Sequence, residues 1–103
     1  MNTVNKPKLT LKSNVSASKF QASSEMLGES VILELKSGVY YGLNETGSLI
    51  WNLIQQSKSL EEIRDTILLE YEVEPEVCNH YVLKLVQDLA SRGLVIIEEQ
   101  TVV

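Results

Sequence analysis

The residue types best suited to nucleophilic catalysis in this chain are one cysteine and one histidine, Cys78 and His80. A thiolate and an imidazole form a nucleophilic pair only when the two groups lie within hydrogen-bond reach. These two residues are only two apart on a predicted helix, so their side chains point away from each other. Glu76 stands four residues before His80, a spacing more typical of a surface pair than of acid–base catalysis. The sequence therefore predicts no catalytic residues.

Other catalytic and metal-binding patterns are missing as well. The chain has no glycine-rich phosphate loop, no HExxH motif and no Ser-His-Asp set. One cysteine and one histidine fall short of the four ligands that structural zinc usually has, and a single cysteine cannot form an internal disulfide. We expect a protein that is not an enzyme and that holds no metal or cofactor.

Size and composition indicate one domain. The chain has 103 residues, of which 44% are hydrophobic and 22% charged, values typical of a globular protein with a single core. No apolar stretch approaches the ~20 residues that span a bilayer, and the N-terminus lacks the apolar part of a secretory signal. We expect a cytoplasmic protein without membrane contact, with a domain at 9–98, a flexible tail at 1–8 and a second tail at 99–103.

Charge is distributed unevenly along the chain. Residues 1–24 contain four lysines and no acid, whereas residues 25–103 contain five basic and fourteen acidic residues. An acidic body repels the phosphate backbone, whose neutralisation by Lys and Arg supplies most nucleic-acid affinity. The charge pattern therefore argues against a nucleic-acid partner.

A strand runs directly into a helix near the middle of the chain. Residues 39–43 are β-branched and aromatic, and Asn44 is a good helix N-cap. Residues 30–36 are also strand-like, and Gly38 suits the tight turn between these two strands. With a less regular strand at 15–20, the pattern predicts a small three-stranded antiparallel sheet.

Three helices follow the sheet. The first is predicted at about 45–56, and Ser59 with Glu62 forms a capping box at the start of the second. The third is predicted at about 75–92, since Pro75 suits a first helical turn and Gly93 suits a left-handed cap. Residues 94–97 are expected either to form a short closing strand or to pack against the helices.

The third helix has two apolar strips. Val82, Val86 and Leu89 have the spacing of residues that face the other helices. A neighbouring strip consists of Cys78, Tyr81 and Leu85. Two interpretations stay open, because so wide an apolar face is either all core or part core and part binding surface.

The strand at 39–43 is expected to lie at a sheet edge, since it is the last strand before the helices. Sheet edges are usually protected by Pro, Lys or bulges, and Val39 to Leu43 include no charged residue or Pro. Such an edge is either an aggregation hazard or a docking site. A second copy of the chain is one possible occupant, so we expect a monomer or a weak homodimer.

Three segments resemble the PqqD family. They are ESVILELKSGVYYGLNETGSLIWNLI at 29–54, SLEEIRDTILLEYEVEPEV at 59–77 and LASRGLV at 89–95. Members of this family are small winged helix-turn-helix-like α+β domains, called RiPP recognition elements, that bind the leader of a ribosomally made precursor peptide. LTLKSNVSASKF at 9–20 is similar to the short basic strand that begins the stand-alone leader-binding proteins of lasso-peptide biosynthesis.

The resemblance implies how the leader binds. In the family the leader adds a strand to the exposed edge and lies in a groove against the third helix. The residues expected to contact it are Val39, Tyr40, Tyr41, Gly42, Leu43, Cys78, Tyr81, Lys84, Leu85 and Asp88. We expect Tyr41 to share a face with Leu43 and to pack on the core, which makes Tyr40 the preferred groove residue.

The resemblance also implies the partners. A lasso-type adaptor works with a leader peptidase and a macrolactam synthetase, and a PqqD-like peptide chaperone works with a radical SAM enzyme. Any cofactor belongs to those enzymes. The remaining alternative is a winged-helix DNA-binding regulator. Against it, the third-helix side chains suited to contact base edges are only Asn79, Lys84, Gln87 and Arg92, and the domain around them is acidic.

Overall fold

The computed structural model describes residues 9–98, so the tails predicted at 1–8 and 99–103 lie outside the described residues. Four strands come first in this range, followed by three helices and a last strand. In order they are β1 (Asn14–Ala17), β2 (Gln21–Met26), β3 (Glu29–Glu34), β4 (Val39–Leu43), α1 (Glu45–Gln55), α2 (Leu60–Glu70), α3 (Pro75–Ser91) and β5 (Val95–Glu98).

The strands form two separate antiparallel sheets. One has the order β2-β3-β4, with β2 and β4 at its edges, and the other pairs β1 with β5. The α+β class, with a three-stranded antiparallel sheet and three helices, is therefore confirmed. The predicted hairpin of β3 and β4 is present, and its register sets Ile32 opposite Tyr41.

The predicted first strand of the sheet was wrong. Residues 14–17 form a strand, but it pairs with β5, which sets Val15 opposite Ile97. The third strand of the sheet is β2, at residues 21–26. Its alternate residues Ser23 and Glu25 carry polar side chains that hydrogen-bond to α1, so β2 lacks the alternation of apolar and polar residues by which strands are recognised.

The helix ends are as predicted. The Asn44 side chain accepts a hydrogen bond from the Gly47 N–H at 2.9 Å and caps α1. Ser59 and Glu62 form the reciprocal capping box of α2, and the bond from the Ser59 backbone N–H lowers the pKa of the Glu62 carboxyl group. Just past α3, Gly93 has a φ of +77°, where a side chain would be strained.

The β3–β4 turn is held by one carboxylate. Glu34 accepts hydrogen bonds from the backbone N–H groups of Ser37 at 2.8 Å and Lys36 at 3.2 Å. Gly38 supplies the positive φ, +75°, that closes the turn. The bonds from Ser37 and then Lys36 lower the pKa of the Glu34 carboxyl group, so it stays ionised as the turn's fixed anion.

The core lies between the sheet and the helices. Ile32 on β3, Trp51 on α1 and Leu89 on α3 are each almost completely buried. The Trp51 indole Nε1 donates to the Ser23 hydroxyl at 3.2 Å, so α1 lies against β2 and covers that side of the sheet. This packing identifies the inner face of the sheet as the one that carries Ser23, Ile32 and Tyr41.

Candidate functional site

The outer edge of β4 has no strand beside it in the described part of the chain. An edge strand presents unpaired backbone N–H and C=O groups at alternate residues along its free side. The residues from Val39 to Leu43 include no Pro and no charged side chain. The edge predicted from the sequence is therefore present and is open to pairing.

The two tyrosines of β4 point to opposite faces of the sheet. Tyr41 is paired with the fully buried Ile32 and shares the inner face with Leu43, as predicted. Tyr40 is paired with Leu33 on the outer face, and 68% of its surface is exposed. The cavity beside β4 opens on the inner face, where Tyr41 lies, so the structure favours Tyr41 as the furrow residue, and contact between Tyr40 and a leader stays a prediction.

Helix α3 runs alongside β4 in the opposite direction. Near the start of α3 the Tyr81 hydroxyl lies 3.5 Å from Asn44 Oδ1, just past the end of β4. Beyond the end of α3 the Arg92 guanidinium lies 4.6 Å from the centre of the Tyr41 ring. Leu85 and Asp88 lie between these contacts on the same side of the helix, because each residue turns it by about 100°. We call this space, bounded by Tyr41, Leu43, Tyr81, Leu85, Asp88 and Arg92, the β4–α3 furrow.

The strip of α3 that was assigned to the core is confirmed, since Val82, Val86 and Leu89 are each fully buried. Cys78 was expected on the neighbouring strip, but it is 1% exposed and its thiol donates to the Arg64 carbonyl at 3.8 Å. Burial raises the pKa of the Cys78 thiol, which keeps it protonated and unreactive. Cys78 therefore belongs to the core, and at the site it contributes to the wall of the cavity near the start of α3.

The other α3 residues named from the sequence remain accessible. Tyr81 is 37% exposed, Leu85 is partly buried against the core, and Lys84 and Asp88 are exposed. Tyr81 contacts Asn44 just past β4, and by helical angle Leu85 and Asp88 share its side of α3, with Lys84 at the border of that side.

A cavity of about 300 Å³ adjoins the furrow near the start of α3. Tyr81 and Asn44 stand at its boundary with the furrow, and we call it the Tyr81 cavity. Its walls are mostly apolar and come from Asn44, Thr46, Ile67, Tyr71, Val73, Val77, Cys78 and Tyr81. A space of this size and lining suits a large apolar side chain.

A second cavity, of about 190 Å³, lies at the other end of the furrow. We call it the Arg92 cavity; it is lined by Glu34, Ser37, Val39, Tyr41, Arg92 and Leu94. Sequence reasoning placed Val39 and Tyr41 at the site but left out Arg92 and the β3–β4 turn. The available signal was helical spacing, since Arg92 continues the line of Tyr81, Leu85 and Asp88.

Within residues 9–98, no group of three or more His, Cys, Asp or Glu side chains is arranged to hold a metal ion. In the same range, no helix is both long enough and apolar enough to cross a bilayer. What the furrow offers is unpaired backbone, apolar surface and a few charges. Such a surface is suited to binding an extended chain.

Comparison with known proteins defines the class. The family model of Coenzyme PQQ synthesis protein D, PqqD, matches residues 29–95. The solved structure "TbiB1 in Complex with the TbiA(beta) Leader Peptide" matches with a TM-score of 0.75 and 32% sequence identity, over 84% of this chain and 98% of that chain. A search of curated proteins gave no match.

A second solved structure, "Lasso peptide synthetase B1 complexed with the leader peptide", shares the fold. It matches with a TM-score of 0.74 and 24% identity, over 81% of this chain and 98% of that chain. The family match covers more than half of the chain, and the match to TbiB1 extends over most of it. This chain belongs to the PqqD family.

Proposed function

We propose that this protein is a non-catalytic adaptor that binds the leader of a ribosomally synthesised precursor peptide. The leader pairs with the free edge of β4 and lies in the β4–α3 furrow, while the rest of the precursor is presented to processing enzymes. One observation carries the proposal: the open strand edge runs beside a furrow with a side-chain cavity at each end. The similarity to TbiB1, whose structure is titled as a complex with a leader peptide, supports it.

When a peptide binds by strand addition, its affinity and its selectivity come from different parts of the site. Backbone hydrogen bonds to β4 are nearly indifferent to the sequence of the bound peptide, whereas cavities that receive alternate side chains are selective. The Tyr81 cavity suits an apolar or aromatic side chain, and Leu85 supplies apolar contact between the two ends. Val39, Tyr40, Tyr41, Gly42 and Leu43 provide the strand, and Lys84 and Asp88 provide charges along the helix.

The acting unit is the single domain of residues 9–98, which we regard as winged helix-turn-helix-like. In that description β3 and β4 form the wing and α3 takes the position of a recognition helix. The DNA-binding alternative has weak support, because Glu76 and Asp88 lie on α3 and the chain as a whole carries a net charge of −5. The exposed positive charges on α3 and at its end are Lys84 and Arg92.

The partners follow from the bound leader. The resemblance to stand-alone lasso leader-binding proteins, together with the fold shared with the structure titled as a lasso peptide synthetase B1, favours a leader peptidase and a macrolactam synthetase as the enzymes served. The family description favours the alternative, a peptide chaperone for a radical SAM enzyme. In both cases the adaptor acts by raising the local concentration of the precursor near the enzyme. The adaptor then needs no cofactor of its own.

Titration of a fluorescently labelled leader into the purified protein tests the proposal. The probe is the leader of the precursor encoded beside this chain, with a scrambled leader of the same composition as the control. We expect saturable binding at micromolar concentration or tighter for the leader and none for the scrambled peptide. Equal binding of the two peptides, or binding of neither, would remove the adaptor function.

A further inference from the structure

The Arg92 cavity contains a guanidinium that has no acidic partner among the described residues. The ion pair formed within residues 9–98 is Arg64 with Asp65, at 2.8 Å. Asp88 lies one helical turn before Arg92 but does not form an ion pair with it. Arg92 instead makes a cation–π contact, with its guanidinium carbon over the Tyr41 ring at 4.6 Å from its centre. Because a ring face takes up none of the guanidinium's strong hydrogen bonds, its N–H groups can still donate to a carboxylate.

The other charge in this cavity is already committed. Glu34 lines the same space, but its carboxylate oxygens accept the backbone N–H groups of Ser37 and Lys36. These bonds hold Glu34 in the turn, and it forms no ion pair with Arg92. The cavity thus combines one anion fixed in the turn with one exposed cation that has no acidic partner among the described residues.

The surroundings favour a carboxylate at Arg92 over one elsewhere. Residues 25–103 carry fourteen acidic and five basic residues, so most of the domain repels an acidic side chain. A second cation, Lys36, belongs to the β3–β4 turn that lines the cavity through Glu34 and Ser37, and its ammonium group lies 4.3 Å from the ring centre of Phe20. The cavity floor is apolar, formed by Val39, Tyr41 and the buried Leu94, which strengthens a charge pair above it.

A peptide paired with β4 brings side chains to this point. Strand residues alternate between faces, so those of the added strand that share the inner face with Val39 and Tyr41 lie against the Arg92 cavity. We propose that the Arg92 cavity binds an Asp or Glu side chain of the leader through a two-point pair with the guanidinium, which makes Arg92 a specificity-determining residue. This inference rests on the proposed function, since it assumes a peptide in the furrow.

Selection from a random peptide display library tests it with no assumption about the leader's own sequence. The full chain is the bait, and the peptides kept are those whose binding is lost with Tyr81→Glu, a change within the furrow. We expect these peptides to share Asp or Glu at a fixed distance from an alternating apolar stretch. With Arg92→Glu as bait we expect Lys or Arg at that position, and with Lys58→Glu, a matched charge reversal far from the cavity, no change.

One selected peptide then gives the magnitude. Arg92→Ala should weaken its binding about fivefold, between the effects of an exposed ion pair and of a charge-assisted hydrogen bond. Arg92→Lys should restore only part of the loss, because lysine lacks the planar fork. The same peptide with Gln in place of its acidic residue should lose the same factor and should be indifferent to Arg92→Ala.

The outcomes separate the two proposals. Peptides that bind the furrow without a shared acidic position, or whose acidic position persists with Arg92→Glu, overturn the role of Arg92 and leave the adaptor function intact. Independent effects of the peptide Gln and of Arg92→Ala also overturn it. If no selected peptide depends on the furrow, the adaptor function fails and the role of Arg92 fails with it.

Discussion

The sheet has two free edges, and they differ in what lies beside them. On the inner side of β2, α1 is joined to the strand by hydrogen bonds from Trp51 to Ser23 and from Asn52 to Glu25, each at 3.2 Å. The cavity of about 220 Å³ next to Glu25 is acidic, since Glu45 and Glu70 also line it. On the inner side of β4, α3 approaches the strand at the two ends of the furrow, where the mostly apolar Tyr81 and Arg92 cavities lie.

This difference shows why an open edge alone does not define a binding site. Backbone groups at either edge could pair with a passing strand, and each such bond contributes only about 1 kcal/mol. Selectivity requires space for alternate side chains, which the furrow beside β4 has at both ends, whereas the cavity beside β2 is lined by three carboxylates, Glu25, Glu45 and Glu70. The account therefore predicts that changes at β4 and α3 affect peptide affinity, while matched changes at β2 affect only stability.

The largest effect is expected from proline in β4. Consecutive residues of an edge strand direct their N–H groups to opposite sides, so either Tyr40→Pro or Tyr41→Pro removes a free donor without breaking the β3–β4 ladder. That variant should stay folded and lose leader affinity by about tenfold or more. Circular dichroism checks the fold, and fluorescence anisotropy measures the affinity.

Ser23→Pro and Ser24→Pro in β2 form the matched pair of controls. The variant of this pair that stays folded should bind leader as the unmodified chain does. An affinity loss in β2 as large as that in β4 would mean that the two edges are equivalent and that the furrow has no special role.

A smaller loss is expected from Tyr81→Ala. The change removes the ring at the boundary between the furrow and the Tyr81 cavity, together with its contact with Asn44. Loss of one partly buried aromatic contact should weaken leader binding about fivefold. The control is Leu69→Ala on α2, a side chain that is 88% exposed and outside the furrow. Calorimetric titration that gives equal affinities for the two variants would argue against the furrow as the binding surface.

A change on the β2 side of the sheet should lower the unfolding free energy and leave leader binding unchanged. Ser23→Ala leaves the buried Trp51 indole N–H without its acceptor, which should cost about 1 kcal/mol of unfolding free energy. Urea denaturation measures that cost. Leader affinity should not change, and a parallel loss of affinity would indicate that β2 also takes part in binding.

The smallest expected effect is a loss of folding stability at acidic pH. The pKa of the Glu62 carboxyl group is lowered in the fold by the Ser59 backbone N–H, so its contribution is complete above the unfolded pKa and is lost as pH falls through the folded value. Acidification from neutral pH to below about pH 4, near the ordinary glutamate value, should therefore destabilise the chain. Glu62→Gln should reduce that dependence in pH-resolved thermal unfolding, and an unchanged dependence would show that the capping box does not contribute.

Much of this fold could be predicted because its boundaries are set by local chemistry. Asn44, the capping box of Ser59 and Glu62, and Gly93 act through their own neighbours in sequence, and each is found where it was predicted. β2 could not be predicted in this way. Its inner side is polar, and Trp51, which satisfies Ser23, lies 28 residues away.

In the candidate site, too, the features set by local sequence could be predicted and those set by distant contacts could not. Helical spacing predicted the buried strip of α3, and strand alternation predicted that Tyr41 shares a face with Leu43. Which face opens onto the furrow depends on where α3 lies, so the sequence alone could not decide between Tyr40 and Tyr41. Arg92 was missed because its role depends on contact with Tyr41, which is 51 positions earlier in the sequence.

Amide hydrogen exchange measured by NMR, with and without bound leader, tests the central claim most directly. The account predicts that bound leader slows exchange at alternate amides within residues 39–43 and leaves residues 21–26 unchanged, since a paired strand protects only the donors that it bonds. Binding without slower exchange in β4, or with equal protection of β2, would contradict the account.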